Sequence, residues 1–163
     1  MWTCRIVFVL CCITCGCTSA KFSAAKMAAS QKDHIVEIIK QINANPVLLH
    51  GDLTPAVEKL SEIGRPALYD GVLELLLSDD VATRQHAARV LYMVLLFEAG
   101  WKYGTGWPPE LNPHEMDSEI KELWKSNGDY SEDAPFEARK ASYEKWKQWL
   151  RDTQSAIDAK VNS

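Results

Sequence analysis

Hydrophobic side chains recur at helical spacing in three consecutive segments, over residues 54–63, 66–77 and 81–97. Each segment places its apolar residues mostly three or four positions apart, which is the spacing of one face of an α-helix. The second segment is apolar around most of its circumference, so we expect it to be buried on more than one side. The apolar positions of the three segments are Val57, Leu60 and Ile63; Leu68, Val72, Leu73, Leu75, Leu76 and Leu77; and Val81, Ala87, Ala88, Val90, Leu91, Val94 and Leu95.

Polar residues, prolines and a glycine mark the ends of these segments. Thr54 is a suitable N-cap, and Pro55 suits the first helical position because its missing N–H would have had no partner there. Gly64 ends the first helix, and Pro66 opens the second in the same way. Asp80 is the expected N-cap of the third helix. The pattern therefore predicts three helices with short connections.

Further helices are predicted on both sides of this central stretch. Before it, Asp33 caps a helix that ends at Asn45 and Pro46. After it, residues 117–125 form a short helix, and Pro135 opens a last helix that frays towards the C-terminus. The first of these helices has one face formed by Ile35, Val36, Ile38, Ile39 and Ile42. In the short helix, the expected inward residues are Ile120, Leu123 and Trp124. The last helix carries Phe136, Ala138, Arg139, Tyr143, Trp146, Trp149 and Leu150.

The central motif resembles the HEAT repeat, especially the bacterial HEAT-like kind. Residues 63–68 are Ile-Gly-Arg-Pro-Ala-Leu, a leucine-rich helix follows, and Ser-Asp-Asp at 78–80 precedes Arg84 and Ala-Ala-Arg-Val-Leu at 87–91. In that family a proline opens the first helix, and an aspartate in the turn and an arginine early in the second helix join successive repeats. The resemblance therefore implies repeat-stabilising roles for Asp80, with Asp79 as a possible substitute, and for Arg84.

The resemblance also implies an all-α fold, a short HEAT-like helical solenoid within one domain over residues 33–163. Its parts are about two repeats at 33–97, an irregular loop at 98–116 and capping helices at 117–163. The last helix, with Trp146 and Trp149, resembles a C-terminal segment that follows HEAT-like repeats in secreted planctomycete proteins, where a tryptophan pair on a basic helix closes the domain. Any other antiparallel helical bundle with the same periodicity is the alternative.

The loop at 98–116 combines glycine and proline with aromatic residues. Its aromatic residues Trp101, Tyr103 and Trp107 form a candidate interaction surface, because rigid aromatic side chains are common anchors of interfaces. The same rings could instead lie over the open end of the solenoid, and we favour this second interpretation.

Residues 1–20 have the pattern of an export signal. A short positive start precedes an apolar run over 6–13 that is too short to cross a bilayer permanently. Thr-Cys-Gly-Cys at 14–17 resembles a bacterial lipobox, which implies acylation of Cys17 and a membrane anchor. Cleavage after Ala20 is the rival interpretation.

Residues 21–32 are small and polar, and we interpret them as a tether or a loosely helical lead-in. A third hypothesis starts translation at Met27, which would make the protein cytosolic. All five cysteines lie within the first twenty residues. The remaining chain therefore has no cysteine for a disulfide framework, a zinc site or a thiol nucleophile.

The charge balance argues against nucleic-acid partners. The formal net charge is −4, with 18 basic and 22 acidic residues. Arg5, Lys21 and Lys26 precede Met27 and no acidic residue does, so the chain from Met27 onward carries −7. Because affinity for phosphate backbones depends on a basic face, we predict no nucleic-acid partner. Attachment to an anionic membrane would require the lipid on Cys17.

The sequence contains no recognised constellation of catalytic residues. Its four histidines, His34, His50, His86 and His114, lack a second histidine or a cysteine at metal-ligand spacing. No nucleophile elbow, phosphate-binding loop or dinucleotide fingerprint is present. We therefore expect no enzyme activity, no metal and no cofactor.

The predicted function is a non-enzymatic protein-interaction or scaffold module of the bacterial cell envelope, with an unidentified protein partner. HEAT-like repeats stack helix pairs into a curved surface that suits protein contacts. The alternative is a HEAT-like lyase or chromophore-handling protein, since some HEAT-like proteins resemble the phycobilin lyases. That alternative requires a pocket that gathers the loop aromatic residues with His114 and Glu115.

Overall fold

The computed structural model describes residues 16–44 and 53–161, with side chains described at 26–44 and 53–155. This part of the chain is all-α, as predicted, with six helices and no strand. The helices are α1 (Gly16–Ile39), α2 (Pro55–Ile63), α3 (the consecutive turns Arg65–Ala67, Leu68–Val72 and Leu73–Leu77), α4 (Val81–Glu98), α5 (Pro113–Ser126) and α6 (Phe136–Val161).

The core lies between the central helices α2 to α4 and is completed by α1, α5 and α6. Its fully enclosed side chains come from every one of these helices except α5, which contributes Ile120 at 4% exposure. Trp146 of α6 is completely buried, although its indole N–H has no hydrogen-bond partner in the described part of the chain. The volume of this ring therefore explains its position better than its polarity does. The largest buried side chains are Trp146, Ile35, Leu60, Leu68, Leu76, Leu91 and Leu150.

The predicted start and end signals of α2 and α4 are confirmed. The Thr54 hydroxyl accepts a hydrogen bond from the Val57 N–H at 3.2 Å. The Asp80 carboxylate accepts one from the Thr83 N–H at 2.9 Å. Gly64 ends α2 at φ 76°, a conformation that favours glycine.

Helix α3 is less regular than its leucine pattern suggests. Gly71 has φ 142° and ψ −13°, so a π-helical stretch there gives way to 3₁₀-helical turns. A Cβ on Gly71 would lie 3.1 Å from Cδ1 of Ile39, which shows how closely α1 approaches. Glycine therefore permits both the backbone break and the packing of α1 on α3.

Helix α1 starts at Gly16 and continues through the predicted tether. The prediction that Asp33 caps a helix is therefore wrong, because Asp33 lies inside α1. Residues 26–34 are exposed, and burial begins at Ile35. The segment has almost no apolar side chain to anchor it, yet its alanines have high helix propensity. Residues 1–15 and 45–52, which include most of the predicted leader and the predicted stop at Asn45 and Pro46, lie outside the described residues.

Helix α5 begins four residues earlier than predicted, at Pro113 instead of Asp117. The side chain of Asn112 accepts a hydrogen bond from the His114 N–H at 3.1 Å and donates one to Glu115 at 3.0 Å. This Asn-Pro start is the same kind of signal as Thr54 and Pro55, and it shortens the predicted loop at 98–116.

Helix α6 begins at Phe136, directly after the predicted opening residue Pro135. Phe136 and Ala138 are exposed in its first turn. The buried position in this turn belongs to Arg139, whose guanidinium donates to main-chain carbonyls. The helix also continues to Val161. None of the helices in the described ranges is long and apolar enough to span a membrane.

Candidate interaction groove

A groove open to solvent lies between α4 and α5. On the α4 side its residues occupy positions i, i+3, i+4 and i+7, so they form one stripe of that helix. The enclosed volume is about 500 Å³. The residues that line it are Gln85, His86, Ala88, Arg89, Tyr92, Trp124 and Glu132.

Two aromatic rings form the floor of this groove. Tyr92 and Trp124 meet edge to face, with ring centroids 6.0 Å apart. The indole N–H of Trp124 donates to the carbonyl of Tyr130 at 3.0 Å, and its ring packs against Trp146 at a centroid distance of 5.3 Å. The core therefore fixes Trp124 in place, so the floor is preformed.

A second depression of about 220 Å³ adjoins the groove and also has Tyr92 and Trp124 in its lining. Here the wall is formed by Lys121 and Lys125 of α5, with Asp129 in the following turn. We call the two depressions together the α4–α5 groove. It has an aromatic floor and charged walls, the usual make-up of a recognition surface.

The Tyr92 hydroxyl is protonated at neutral pH. Burial raises the pKa of Tyr92, and the Asp117 carboxylate adds to the increase, whereas Lys121 and Arg89 oppose it. The Lys121 ammonium donates to Asp117 at 2.6 Å, which raises the pKa of Lys121. At neutral pH, Lys121 is therefore charged and Tyr92 offers a neutral hydroxyl, as is ordinary for these side chains.

Asp80 and Arg84, the predicted repeat-stabilising pair, each join α4 to another part of the chain. Asp80 accepts from the Asn43 side chain, which follows α1, at 3.0 Å. Asn43 also contacts Nδ1 of His86 at 2.8 Å, at the edge of the groove. Arg84 is 7% exposed and donates to the carbonyls of Ser78, Asp79 and Glu132. These contacts connect α1, the turn before α4, and the segment between α5 and α6.

The three aromatic residues of the predicted interaction loop do not form one surface. Trp101 stacks on Phe97 of α4 at a centroid distance of 5.9 Å, and Tyr103 contacts both rings edge to face. Trp107 is packed against the core and also lines a separate depression of about 310 Å³. Tyr103 remains 36% exposed. Trp101 and Tyr103 therefore pack on α4 through Phe97, and both interpretations of the loop stay predictions.

A turn of the main chain shapes this loop. Lys102 and Gly106 exchange backbone hydrogen bonds at 3.0 and 2.8 Å. Gly104 and Gly106 have φ values of 76° and 72°, which explains the need for glycine at these positions. The loop is therefore held in one shape by its own backbone as well as by its aromatic contacts.

The remaining candidate residues lie apart from the groove. His114 and Glu115 are exposed in the first turn of α5. No group of His, Cys, Asp or Glu residues within the described ranges could hold a metal ion. Cys17 lies in the first turn of α1, where side chains are not described, so its lipidation stays a prediction.

Sequence reasoning missed the α4–α5 groove. Gln85, Ala88, Arg89 and Tyr92 have the spacing of a helix stripe, which was a usable signal. No sequence signal paired that stripe with Trp124, which we expected only to face inward. That pairing depends on how α5 folds back over α4.

Comparisons with known proteins gave no relative. No family model matches the chain, and no match was found among curated proteins or among solved structures.

Proposed function

We propose that this chain is a non-enzymatic protein-interaction module, built as a HEAT-like helical solenoid of about two repeats with C-terminal capping helices. The observation that carries this proposal is the α4–α5 groove, with its preformed aromatic floor of Tyr92 and Trp124. Aromatic side chains held rigid by a scaffold lose little conformational entropy on binding, so they are effective anchors for a partner protein.

The HEAT-like organisation is supported by the contacts of Asp80 and Arg84. These two residues occupy the positions that join successive repeats in that family, and here their hydrogen bonds join α4 to segments near α1 and α6. Helices α3 and α4 would form one of the two repeats, and α1 with α2 would form a more degenerate repeat before it.

The proposed location is the bacterial cell envelope, with residues 1–20 as export signal and Cys17 as the site of lipidation. Intact mass spectrometry of membrane and soluble fractions tests this location. A membrane-bound species that begins at acylated Cys17 is expected. A soluble species that begins at Lys21 would replace the lipid anchor with ordinary export, and one that begins at Met27 or Ala28 would contradict export altogether.

Site-specific photocrosslinking tests the protein-binding function. A benzoylphenylalanine at the exposed groove position Gln85 is expected to capture a protein partner in the producing cells. The same probe at Lys140, exposed on α6, is the matched control. Equal capture from both positions, or none, would contradict the proposal. Capture from a probe at Tyr103 alone would keep the function but move it to the aromatic loop.

One observation favours the alternative of a chromophore-handling protein. The groove, of about 500 Å³ with two aromatic rings and nearby His86, Arg89 and Glu132, matches small-molecule sites in size. It does not include His114 or Glu115, which the sequence hypothesis required. Titration with a linear tetrapyrrole tests this alternative. An induced circular dichroism band that is lost in Ala88→Trp would support it, and its absence would leave protein binding as the only proposal.

A further inference from the structure

We infer that the α4–α5 groove takes a short amphipathic helix of a partner protein, with an apolar stripe flanked by acidic residues. This inference rests on the proposed protein-binding function and specifies the partner's chemistry. It follows from three properties of the groove: the kind of backbone at its walls, its length, and the charge of its walls.

The walls favour a helical partner over an extended one. Both walls are helices, whose backbone groups bond within the helix, and the described part of the chain has no strand edge to pair with a peptide. An extended segment on the aromatic floor would gain no backbone hydrogen bonds from these walls and would leave its N–H and C=O groups to water. A helix satisfies its backbone internally and needs only a side-chain surface, which Tyr92, Trp124 and Ala88 provide.

The length of the groove limits the partner helix to a few turns. The α4 stripe from Gln85 to Tyr92 spans eight residues, or about 10 Å at the helical rise. The second depression extends the floor past Tyr92 towards Lys121 and Lys125. A partner helix of roughly three turns would cover this floor, with apolar residues at i, i+3, i+4 and i+7.

The charge of the walls selects acidic flanks. Helix α4 contributes Arg89, and helix α5 contributes Lys121 and Lys125. The two acidic lining residues, Asp129 and Glu132, both come from the segment between α5 and α6. The fully charged lining residues that the two helices contribute are therefore all basic, on a chain whose net charge is −4. Acidic residues on both sides of the partner's apolar stripe would face these walls.

Arg89 of α4 already interacts within the described part of the chain. The two lysines of α5 are also in ion pairs, and these pairs do not block a role in binding. Lys121 is paired with Asp117 and Lys125 with Glu122, but the two lysine side chains are 64% and 62% exposed. Exposed pairs of this kind contribute little to stability. Both ammonium groups can therefore turn to a partner carboxylate at small cost.

Selection from a displayed library of random 14-residue peptides tests the inference. We expect the full-length protein to enrich peptides with helical apolar spacing and an excess of Asp and Glu. The affinity of an enriched peptide should fall about tenfold in Lys121→Glu/Lys125→Glu, as expected for charge reversal at an interface. The peptide should gain helical circular dichroism on binding.

The matched control is Lys140→Glu/Lys145→Glu, which reverses two exposed charges on α6. Its affinity for the peptide should be unchanged. When the same library is selected on the Lys121→Glu/Lys125→Glu variant, the enriched peptides should no longer have an excess of Asp and Glu. Ala88→Trp, which fills the groove, should abolish binding while thermal melting shows that the variant is folded.

Three results would overturn the inference: enrichment of basic peptides, binders that are insensitive to both groove variants, or no enrichment. Peptides that bind another surface would agree with the protein-binding function and contradict only the assignment of the groove as its site. Dimerisation that Ala88→Trp abolishes would identify a second copy of the chain as the occupant and contradict the acidic-helix partner. The photocrosslinking experiment tests the function independently of these results.

Discussion

Two nearly buried arginines close the end of α3. Arg84 and Arg139 are each 7% exposed, and both donate to the carbonyl of Ser78. Arg139 and the Tyr130 hydroxyl also share the carbonyl of Leu76, at 3.3 and 2.7 Å. The last carbonyls of a helix have no partner within it and carry partial negative charge, so guanidinium groups suit this position.

Replacement of Arg84 by methionine should destabilise the protein strongly. The change removes three part-buried hydrogen bonds, two to carbonyls in the turn between α3 and α4 and one to a carbonyl in the segment before α6. We expect a loss of about 2–3 kcal/mol in the free energy of unfolding, measured by urea denaturation. Arg151→Met, at an exposed position of α6, should change it by less than about 0.5 kcal/mol. Equal effects of the two substitutions would contradict the structural role of Arg84.

Tyr130 should make stability sensitive to alkaline pH. Burial raises the pKa of Tyr130 from 10.0 to about 12, although Arg139 and Arg84 partly oppose this. The folded state therefore holds the phenolic proton more tightly than the unfolded state does. The resulting stability is fully present below pH 10 and is lost as the pH rises towards about 12.

Tyr130→Phe separates this effect from other alkaline titrations. At pH 7 the variant should be less stable by about 1 kcal/mol, because the hydrogen bond to Leu76 is lost. The difference from the wild type should shrink between pH 10 and 12, as measured by urea denaturation at each pH. A difference that stays constant over this range would contradict a raised pKa for Tyr130.

At the scale of the helices, side-chain caps set where most elements begin. Thr54 and Asn112 each precede a proline, and Asp80 caps α4 without one. Burial of Asp80 is negligible, and hydrogen bonds from Thr83 lower its pKa. For α1, the predicted cap Asp33 lies inside the helix instead of at its start. The local signals therefore explain the central helices better than they explain the N-terminal one.

Thr54→Ala should weaken both the start of α2 and its contact with α1. The Thr54 hydroxyl accepts from Val57 and donates to the carbonyl of Ile42 at 3.0 Å, at a site that is 1% exposed. We expect a loss of about 1–2 kcal/mol, measured by chemical denaturation. Thr54→Ser keeps the hydroxyl and should retain most of the stability. If serine were as damaging as alanine, the methyl group rather than the hydrogen bonds would explain the effect.

At the scale of the whole molecule, the C-terminal helices complete the core. Trp146 and Leu150 of α6 are buried at 0% and 1% exposure. Arg65, at the start of α3, donates to Glu98 at the end of α4 and to Thr153 of α6, and its guanidinium lies 4.9 Å from the centre of the Trp149 ring. One side chain thereby connects three helices. Through these contacts, α6 is an integral part of the packed core.

Truncation at Gly100 should therefore prevent cooperative folding. The change removes α5 and α6 and exposes the apolar faces of α3 and α4 that they cover. We expect the truncated chain to show no cooperative thermal transition by circular dichroism. Deletion of residues 1–32, whose described side chains are exposed, is the control and should leave the transition temperature nearly unchanged. A cooperative melt of the C-terminal truncation would refute the capping role.

The sequence alone determined the all-α class, the caps at Thr54 and Asp80 and the inward faces of α2, α4 and α5. These features depend on helical spacing and on hydrogen bonds within a few residues, so local chemistry is sufficient to predict them. The start of α5 was also marked locally, by Asn112 and Pro113, but the nearby glycines and prolines obscured it.

Only the tertiary structure decided the break at Gly71, the burial of Arg139 and the α4–α5 groove. Each depends on residues far apart in the chain: Ile39 against Gly71, Leu76 against Arg139, and Tyr92 against Trp124. Such contacts form when helices pack, and the free energy of that packing overrides local preferences. A pattern along the chain therefore identifies the faces of helices, whereas their partners are fixed by the folded arrangement.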